Sequence, residues 1–551
     1  MNTVHCFKFL RVGAFFSALI SSLSAETSVE VWVTDEDLER RLDRLEDVSF
    51  NASEEDASLV VSVDESQVYQ EIDGWGVSLT GASSWLLTEQ LSQEKREEVM
   101  ENLFGPEGIG LTMLRQTMGA SDFNREIYSY SDGEADPDLD RFSIDPDREY
   151  ILPRLKEALA INPQVKVMAS PWSPPGWMKT SGNMIGGTLS NEHYQSNADY
   201  FVRFIQAYEA EGIPIYAVTP QNEPGYSPAH YPGMILTKTQ QIRFIGENLG
   251  PTLEASGLGR VKIICHDHNY DGVDIPRSIL ASSAGEYVAG SGFHHYGGPI
   301  QAMSELQSEY PEKGIWFTEG GFGEWNDHFD NMAHEMIEIP RNWAKAIVLW
   351  NAALDENSGP SVIGDDNPNE GMLMIRSDQM NQVTYHAQYY LLGHLSKFVR
   401  PGAVRIASPS WIGDVETVAF RNLDGSKVLV AANRSYTDRS IRVEWMGESF
   451  GYALPARSMM TFRWNETGPD WYTRLEVTRN RGESSGFLCE IEIDTSKAGP
   501  MFDVEQSFDF GLSGWSRSSV EKIEELGTIQ KWIAESEDGV SQAFFRVNRW
   551  R

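Results

Sequence analysis

NADYFVRFIQAYEAEGIPIYAVTPQNEP, residues 197–224, reads as a helix, a strand and a polar loop in that order. Asn197 to Glu211 is amphipathic and predicts a helix. Pro214 to Thr219 predicts a short strand, and Glu223 stands just beyond it, after Asn222. The succession recurs on either side. Gly110 to Leu114, Val165 to Ala169, Val261 to Cys265, Gly292 to His295, Gly314 to Thr318 and Ala346 to Leu349 are further candidate strands. Thr237 to Ala255 is a second helical stretch. Such alternation over residues 71–397 predicts a parallel α/β fold, and a (β/α)8 TIM barrel matches the size. A doubly wound sheet is the alternative. No G-x-G-x-x-G follows a strand, which weighs against a dinucleotide-binding version.

The flanks are different. Val29 to Val33 and Ser58 to Val63 alternate as strands do. Between them, Leu38, Leu42 and Leu45 recur at helical spacing among charges and predict a short surface helix. After Arg400 the pattern is β-like again, at Thr417 to Asn422, Lys427 to Ala432, Ile441 to Met446 and Ser458 to Trp464. Asp424-Gly425 is a hairpin signal between the first two. Residues 398–465 therefore predict a β-sandwich, with residues 26–70 supplying its missing strands from the other end of the chain. Asn465 to Pro469 reads as a linker. Residues 466–551 are a strand-rich extension with no assigned role.

Charge and leader narrow the function. The chain has 551 residues and a net charge of -36, so it repels phosphate backbones and anionic membranes. Nucleic acid is excluded as partner, and a neutral substrate fits. Lys8 and Arg11, the apolar run Val12 to Leu23 and the small residues Ser22, Ser24 and Ala25 read as an export signal over residues 1–25. The run is shorter than the roughly 20 residues that span a bilayer, so stable membrane insertion is not expected. The expected location is extracellular or periplasmic. Cys6 leaves with the signal. Cys265 lies in an apolar run and reads as a buried free thiol, although a Cys265–Cys489 bridge stays open. Sixteen Trp residues suit sugar stacking as well as a large core.

The chemistry gathers where strands end. Glu223 follows one apolar strand, and Glu319, in WFTEGG, follows another. Such positions crowd round one mouth of a barrel. A carboxylate at the end of an apolar strand is partly desolvated, which raises its pKa and suits an acid catalyst. Two carboxylates about 5–5.5 Å apart would cleave a glycosidic bond with retention of configuration. Spacing alone leaves two unrelated glutamates equally open.

Seven stretches resolve that. LRQTMGASDFN (114–124), ASPWSPPGWMKTSG (169–182), AVTPQNEP (217–224), GFHHYGG (292–298), WFTEGG (316–321), LWNAALDENSGP (349–360) and GHLSKFVRPG (393–402) resemble glycoside hydrolase family 30, in its order. This is the family of glucosylceramidases and endo-β-1,6-glucanases, and the resemblance covers roughly residues 70–465. It implies Glu223 as acid/base and Glu319 as nucleophile. Asn222 would bond the sugar 2-hydroxyl, and Arg115 would support the nucleophile. Trp172 and Trp350 would line the glucose subsite, with His294 and Tyr296 beside the nucleophile. No cofactor or metal is implied. Glucosylceramidases of the lysosomal type carry T-D-A in the first barrel loop, whose aspartate grips glucose hydroxyls. Here Gly81 stands at that place in GVSLTGAS, so the grip must come from elsewhere or be weaker, and the change resembles the bacterial β-1,6-glucanase-like branch more than the lysosomal enzyme.

Other readings stay in view. His266 and His268 lie two apart at a strand end and share a face, with Asp267, His294 and His295 as further metal-ligand types. No H-E-x-x-H accompanies them, and hydrogen-bonded histidines at the barrel mouth are the plainer expectation. Asp267, His268 and Asn269 are candidates to line the cleft. Trp177 is either core or sugar platform. The expected substrate is a β-linked glucan or glucoside, β-1,6-glucan before glucosyl lipid. A carbohydrate-binding protein without catalysis is the rival from another class. Exo or endo action and the oligomeric state are left open.

Overall fold

The computed structural model describes residues 27–50, 59–323, 329–363 and 369–465, and the backbone of four strands beyond them. The export signal lies outside the described residues. Residues 28–465 form one unit. Its centre is a closed barrel of eight parallel strands in sequential order. They are β1 (Gly74–Ser78), β2 (Met113–Thr117), β3 (Lys166–Ser170), β4 (Ile215–Val218), β5 (Lys262–Asn269), β6 (Val288–His294), β7 (Gly314–Glu319) and β8 (Ala344–Leu349).

The barrel interior is layered by strand alternation. Met113, Met168, Ala217, Ile264, Trp316, Ala346 and Val348 pack together as its apolar middle. One pleat further along, Arg115, Ser170, Thr219 and Thr318 carry the polar layer at the mouth. At the opposite end Asp73 accepts from Trp316 Nε1 (2.9 Å), Tyr216 Oη (2.6 Å) and Lys166 Nζ (3.1 Å). The helices outside bury one face each. Tyr194–Ala210 buries Tyr194, Ala198, Phe201, Ile205 and Tyr208, which recur at helical spacing. Lys238–Arg243 begins with a capping box between Thr237 and Gln240.

Both ends of this unit build the β-sandwich. Ser28–Asp35 pairs antiparallel with Ser458–Trp464, and Leu59–Val63 pairs parallel with Ile441–Trp445. Two strands escape the pattern of the sequence, Val404–Ala407 and Glu448–Leu454. Val415, Ala419, Leu429, Ala431, Met460 and Phe462 face the sandwich core. Their alternates Val418, Phe420, Val428, Val430 and Met459 face the barrel core. The Asp424-Gly425 turn forms, with Gly425 at φ 84°.

Residues 38–45 are not a helix. Leu38 and Leu42 sit at φ 52° and 60°, and Arg41–Arg44 is a strand beside Ser28–Asp35. The helical spacing of the leucines loses to the open edge of that strand, which needs a partner. Cys265 is buried and free. Beyond the unit, Tyr472–Arg479, Phe487–Ile493, Ile529–Ala534 and Val520–Leu526 form an antiparallel sheet in that order. Among the described residues no helix is long and apolar enough to cross a membrane.

Candidate active site

The strand ends converge on a cleft of about 360 Å³. Trp172, Asn222, Glu223, Tyr296, Glu319 and Trp350 line it, with Asp122, Tyr226, Tyr231, His268, Asn269 and Asn369. Arg115 and His294 stand behind the wall, each essentially without exposure. Oxygens of Glu223 and Glu319 lie within 4.8 Å of each other. That separation leaves room for one anomeric carbon and fits a retaining pair.

Glu319 is held from two sides. Arg115 Nη1 donates to Oε2 at 2.5 Å, and Tyr296 Oη donates to Oε1 at 3.0 Å. Arg115 Nη2 also donates to Asn222 Oδ1 (2.7 Å) and Asp267 Oδ2 (2.9 Å). Because the Asn222 oxygen faces Arg115, its amide NH₂ is free to turn toward the cleft.

Asp267 organises the floor. It accepts from Arg115, from Ser170 Oγ and Thr219 Oγ1 (both 2.7 Å), from Thr318 Oγ1 (2.6 Å) and from His294 Nε2 (3.0 Å). Burial would raise its pKa, but the Arg115 charge and the His294 and Thr318 bonds hold it well below the usual carboxylate range. A bulge puts it there. His266 and Asp267 have φ 74° and 49°, and the pairing of β5 with β6 slips at this point. The slip breaks the alternation that sequence spacing assumes. Asp267 turns into the barrel axis, His266 bonds the carbonyl of Asn269 (2.9 Å), and His268 reaches the cleft. Glu223, also at positive φ (45°), donates its N–H to the Asp267 carbonyl at 3.0 Å. Left-handed non-glycine residues of this kind cluster at functional sites.

His294 sits between the two glutamates. Its Nδ1 is 3.3 Å from Glu223 Oε1 and 3.8 Å from Glu319 Oε1, while Nε2 faces Asp267. Burial would lower its pKa, but the charge of Glu319 and the bonds to Asp267 and Glu223 lift it to about 9. It is an imidazolium with both N–H groups donating. For Glu223, burial pushes the pKa up, but the bond and charge of His294 outweigh that and leave it below its ordinary value. The rise expected from burial alone is thus reversed. The acid form of Glu223 in the empty cleft grows as pH falls.

The sugar side is aromatic. Trp172 and Trp350 stack with centroids 5.0 Å apart and an 18° interplanar angle, and the Arg115 guanidinium lies 4.9 Å over Trp172. Beside them Asp122 carries a carboxylate the sequence reasoning did not single out. Burial, together with the charges of Glu319 and Glu223, holds its pKa well above the usual range. Its buried Oδ1 has no hydrogen-bond partner. Gly81 belongs to packing instead. A Cβ at Gly81 would lie 2.2 Å from Asn124 Nδ2, and Asn124 caps the Ser121 turn that carries Asp122. The signal for Asp122 was available, because its loop follows β2 as the Glu223 loop follows β4.

Trp177 is structural. Its indole donates to the Ser131 carbonyl at 2.8 Å, away from the cleft. Among the described residues one trio, Glu223, His294 and Glu319, brings three ligand-type atoms within 4.8 Å. His266 is turned to Asn269 and does not join that trio.

A model of the glycosyl hydrolase family 30 TIM-barrel domain matches residues 72–399, and one of the family 30 beta sandwich domain matches residues 402–462. The chain is 31% identical to putative glucosylceramidase 4 of Caenorhabditis elegans, over 69% of this chain and 78% of that protein. It is 32% identical to the endo-1,6-beta-D-glucanase of Neurospora crassa, over 68% and 81%. Among solved structures, the endo-beta1,6-glucanase BT3312 matches with TM-score 0.73 and 32% identity, over 80% of this chain and all of that one.

Proposed function

The chain belongs to glycosyl hydrolase family 30, and from that premise we propose that it is an exported, retaining β-glycosidase that cleaves β-1,6-linked glucan. The observation that carries the mechanism is the pair Glu223 and Glu319 with oxygens within 4.8 Å. Glu319, oriented by Arg115 and Tyr296, attacks the anomeric carbon. As the glycosidic bond breaks, Glu223 gives its proton to the leaving oxygen. Water then loses a proton to Glu223, its oxygen bonds the anomeric carbon, and Glu319 is released. Asn222 donates to the 2-hydroxyl and Asp122 to a hydroxyl further round the ring. Trp172 and Trp350 form the aromatic wall. A binding protein without catalysis has no use for an acid and a nucleophile backed by Arg115, Asp267 and His294.

Two substrate classes share this mechanism, since glucanases and glucosylceramidases are both among the relatives. Gly81 does not separate them, because Asp122 supplies the carboxyl. Charge favours the glucan: at -36 the chain is repelled by anionic lipid surfaces. The expected result is glucose or gentio-oligosaccharides from β-1,6-glucan, read by product chromatography, with little glucose from glucosylceramide in vesicles. Release from the lipid alone would overturn the glucan assignment and keep the glycosidase.

A further inference from the structure

Lys179 carries a buried amino group that the chemistry above does not use. It is 4% exposed, and its Nζ donates to Ser173 Oγ (3.0 Å), the Met184 carbonyl (2.6 Å) and the Gly233 carbonyl (2.9 Å). Three acceptors surround the Nζ, and among the described residues no carboxylate pairs with it. Burial alone pulls its pKa down to about 7. A buried amino group with no counter-ion is costly to keep, charged or neutral, so its three bonds call for a reason.

The acceptors supply one. Ser173 and Met184 belong to the rim loop after β3, which opens on Trp172. Gly233 belongs to the rim loop after β4, which opens on Glu223. The Met184 carbonyl also accepts from Gly233 N (3.0 Å), and the Gly187 carbonyl accepts from Ile235 N (3.0 Å). Gly233 is thus gripped at both its N–H and its carbonyl. Between Glu223 and Gly233 the second loop carries Tyr226 and Tyr231, both lining the cleft, with Tyr226 half exposed. Tyr231 packs against the cluster of Phe123, Trp172 and Trp350 on the glucose side. Tyr226 is the exposed one, turned back on Glu223 by its N–H to the Glu223 carbonyl (2.9 Å); since Glu223 hands its proton to the departing oxygen, Tyr226 stands at the leaving-group side.

We propose that Lys179 is a positioning residue for the leaving-group subsite: its amino group ties the two rim loops together and so holds Tyr226 where the sugar beyond the scissile bond must lie. The proposal rests on Glu223 being the acid/base. A nitrophenyl glucoside has no sugar beyond the scissile bond, whereas a gentio-oligosaccharide does.

Lys179→Met and Lys179→Gln are compared with the wild type on both substrates, per active site counted by covalent labelling with a 2-fluoro glucoside. For Lys179→Met the oligosaccharide kcat/KM is expected to fall about 100-fold, mostly through KM, while nitrophenyl glucoside kcat stays within about threefold. Lys179→Gln, which keeps two donors, recovers part of the loss, and it carries the test alone if the methionine protein does not fold. Equal losses on both substrates, or no loss on either, would overturn the clamp. A wild-type protein inactive on both would overturn the glycosidase reading, and the clamp with it.

Discussion

Glu319→Gly is expected to lower turnover of a nitrophenyl β-glucoside by on the order of 10⁴-fold or more, as loss of a covalent nucleophile does. The fold should survive, because Arg115 keeps Asp267 and Asn222 as partners when the glutamate is gone. The vacated space lies under the anomeric carbon on the face opposite the leaving group. Azide entering there should restore turnover of the activated substrate and give the α-glucosyl azide. Azide with Glu223→Gly should instead give the β-azide, because it then enters from the leaving-group side after the covalent step. Near wild-type turnover by Glu319→Gly, or no azide product, would contradict the assignment.

Asp267→Asn is expected to cost about 3–5 kcal/mol of folding stability at neutral pH, measured by urea denaturation. The amide removes the charge that hydrogen-bonds both Arg115 and His294, and its NH₂ meets donors where the carboxylate met them. Two buried cations are then left leaning on Glu319 and Glu223 alone. The pH dependence follows the sign of the shift. The Asp267 carboxyl is held well below its unfolded value of about 3.9, so its contribution is full above that pH and is lost as pH falls through the folded value. The wild type should lose stability below about pH 4, and Asp267→Asn should lose less over the same range. Unchanged stability at pH 7 would remove Asp267 from the centre of the site.

The sequence shows the barrel well in its apolar parts and poorly at its mouth. Gly110 to Leu114 marks β2 by hydrophobicity, yet the strand runs over Met113–Thr117. Arg115 is polar because it reaches the site, and with Gln116 and Thr117 polar beside it the strand is hidden from a search for apolar residues. β5 likewise continues through His266, Asp267 and His268. β1, Gly74–Ser78, went unread because its glycines look like a turn. Gly76 is required there, since a Cβ would fall 1.8 Å from the Met113 carbonyl oxygen. Glu223 and Glu319 were legible because each follows an apolar strand in a distinctive local sequence. Asp267 was not, because a bulge aims it, and no spacing rule anticipates that turn. Asp122 is a different case: the carboxyl comes from the loop after β2 and not from the first barrel loop, where Gly81 stands.

With Glu319 as nucleophile and Glu223 as proton shuttle, hydrolysis has a stereochemical signature. Proton NMR during hydrolysis of a β-1,6-gluco-oligosaccharide should show the β-anomer of the newly formed reducing end first, with the α-anomer growing in later by mutarotation. The α-anomer appearing first would mean single displacement by water, and would contradict the covalent role of Glu319.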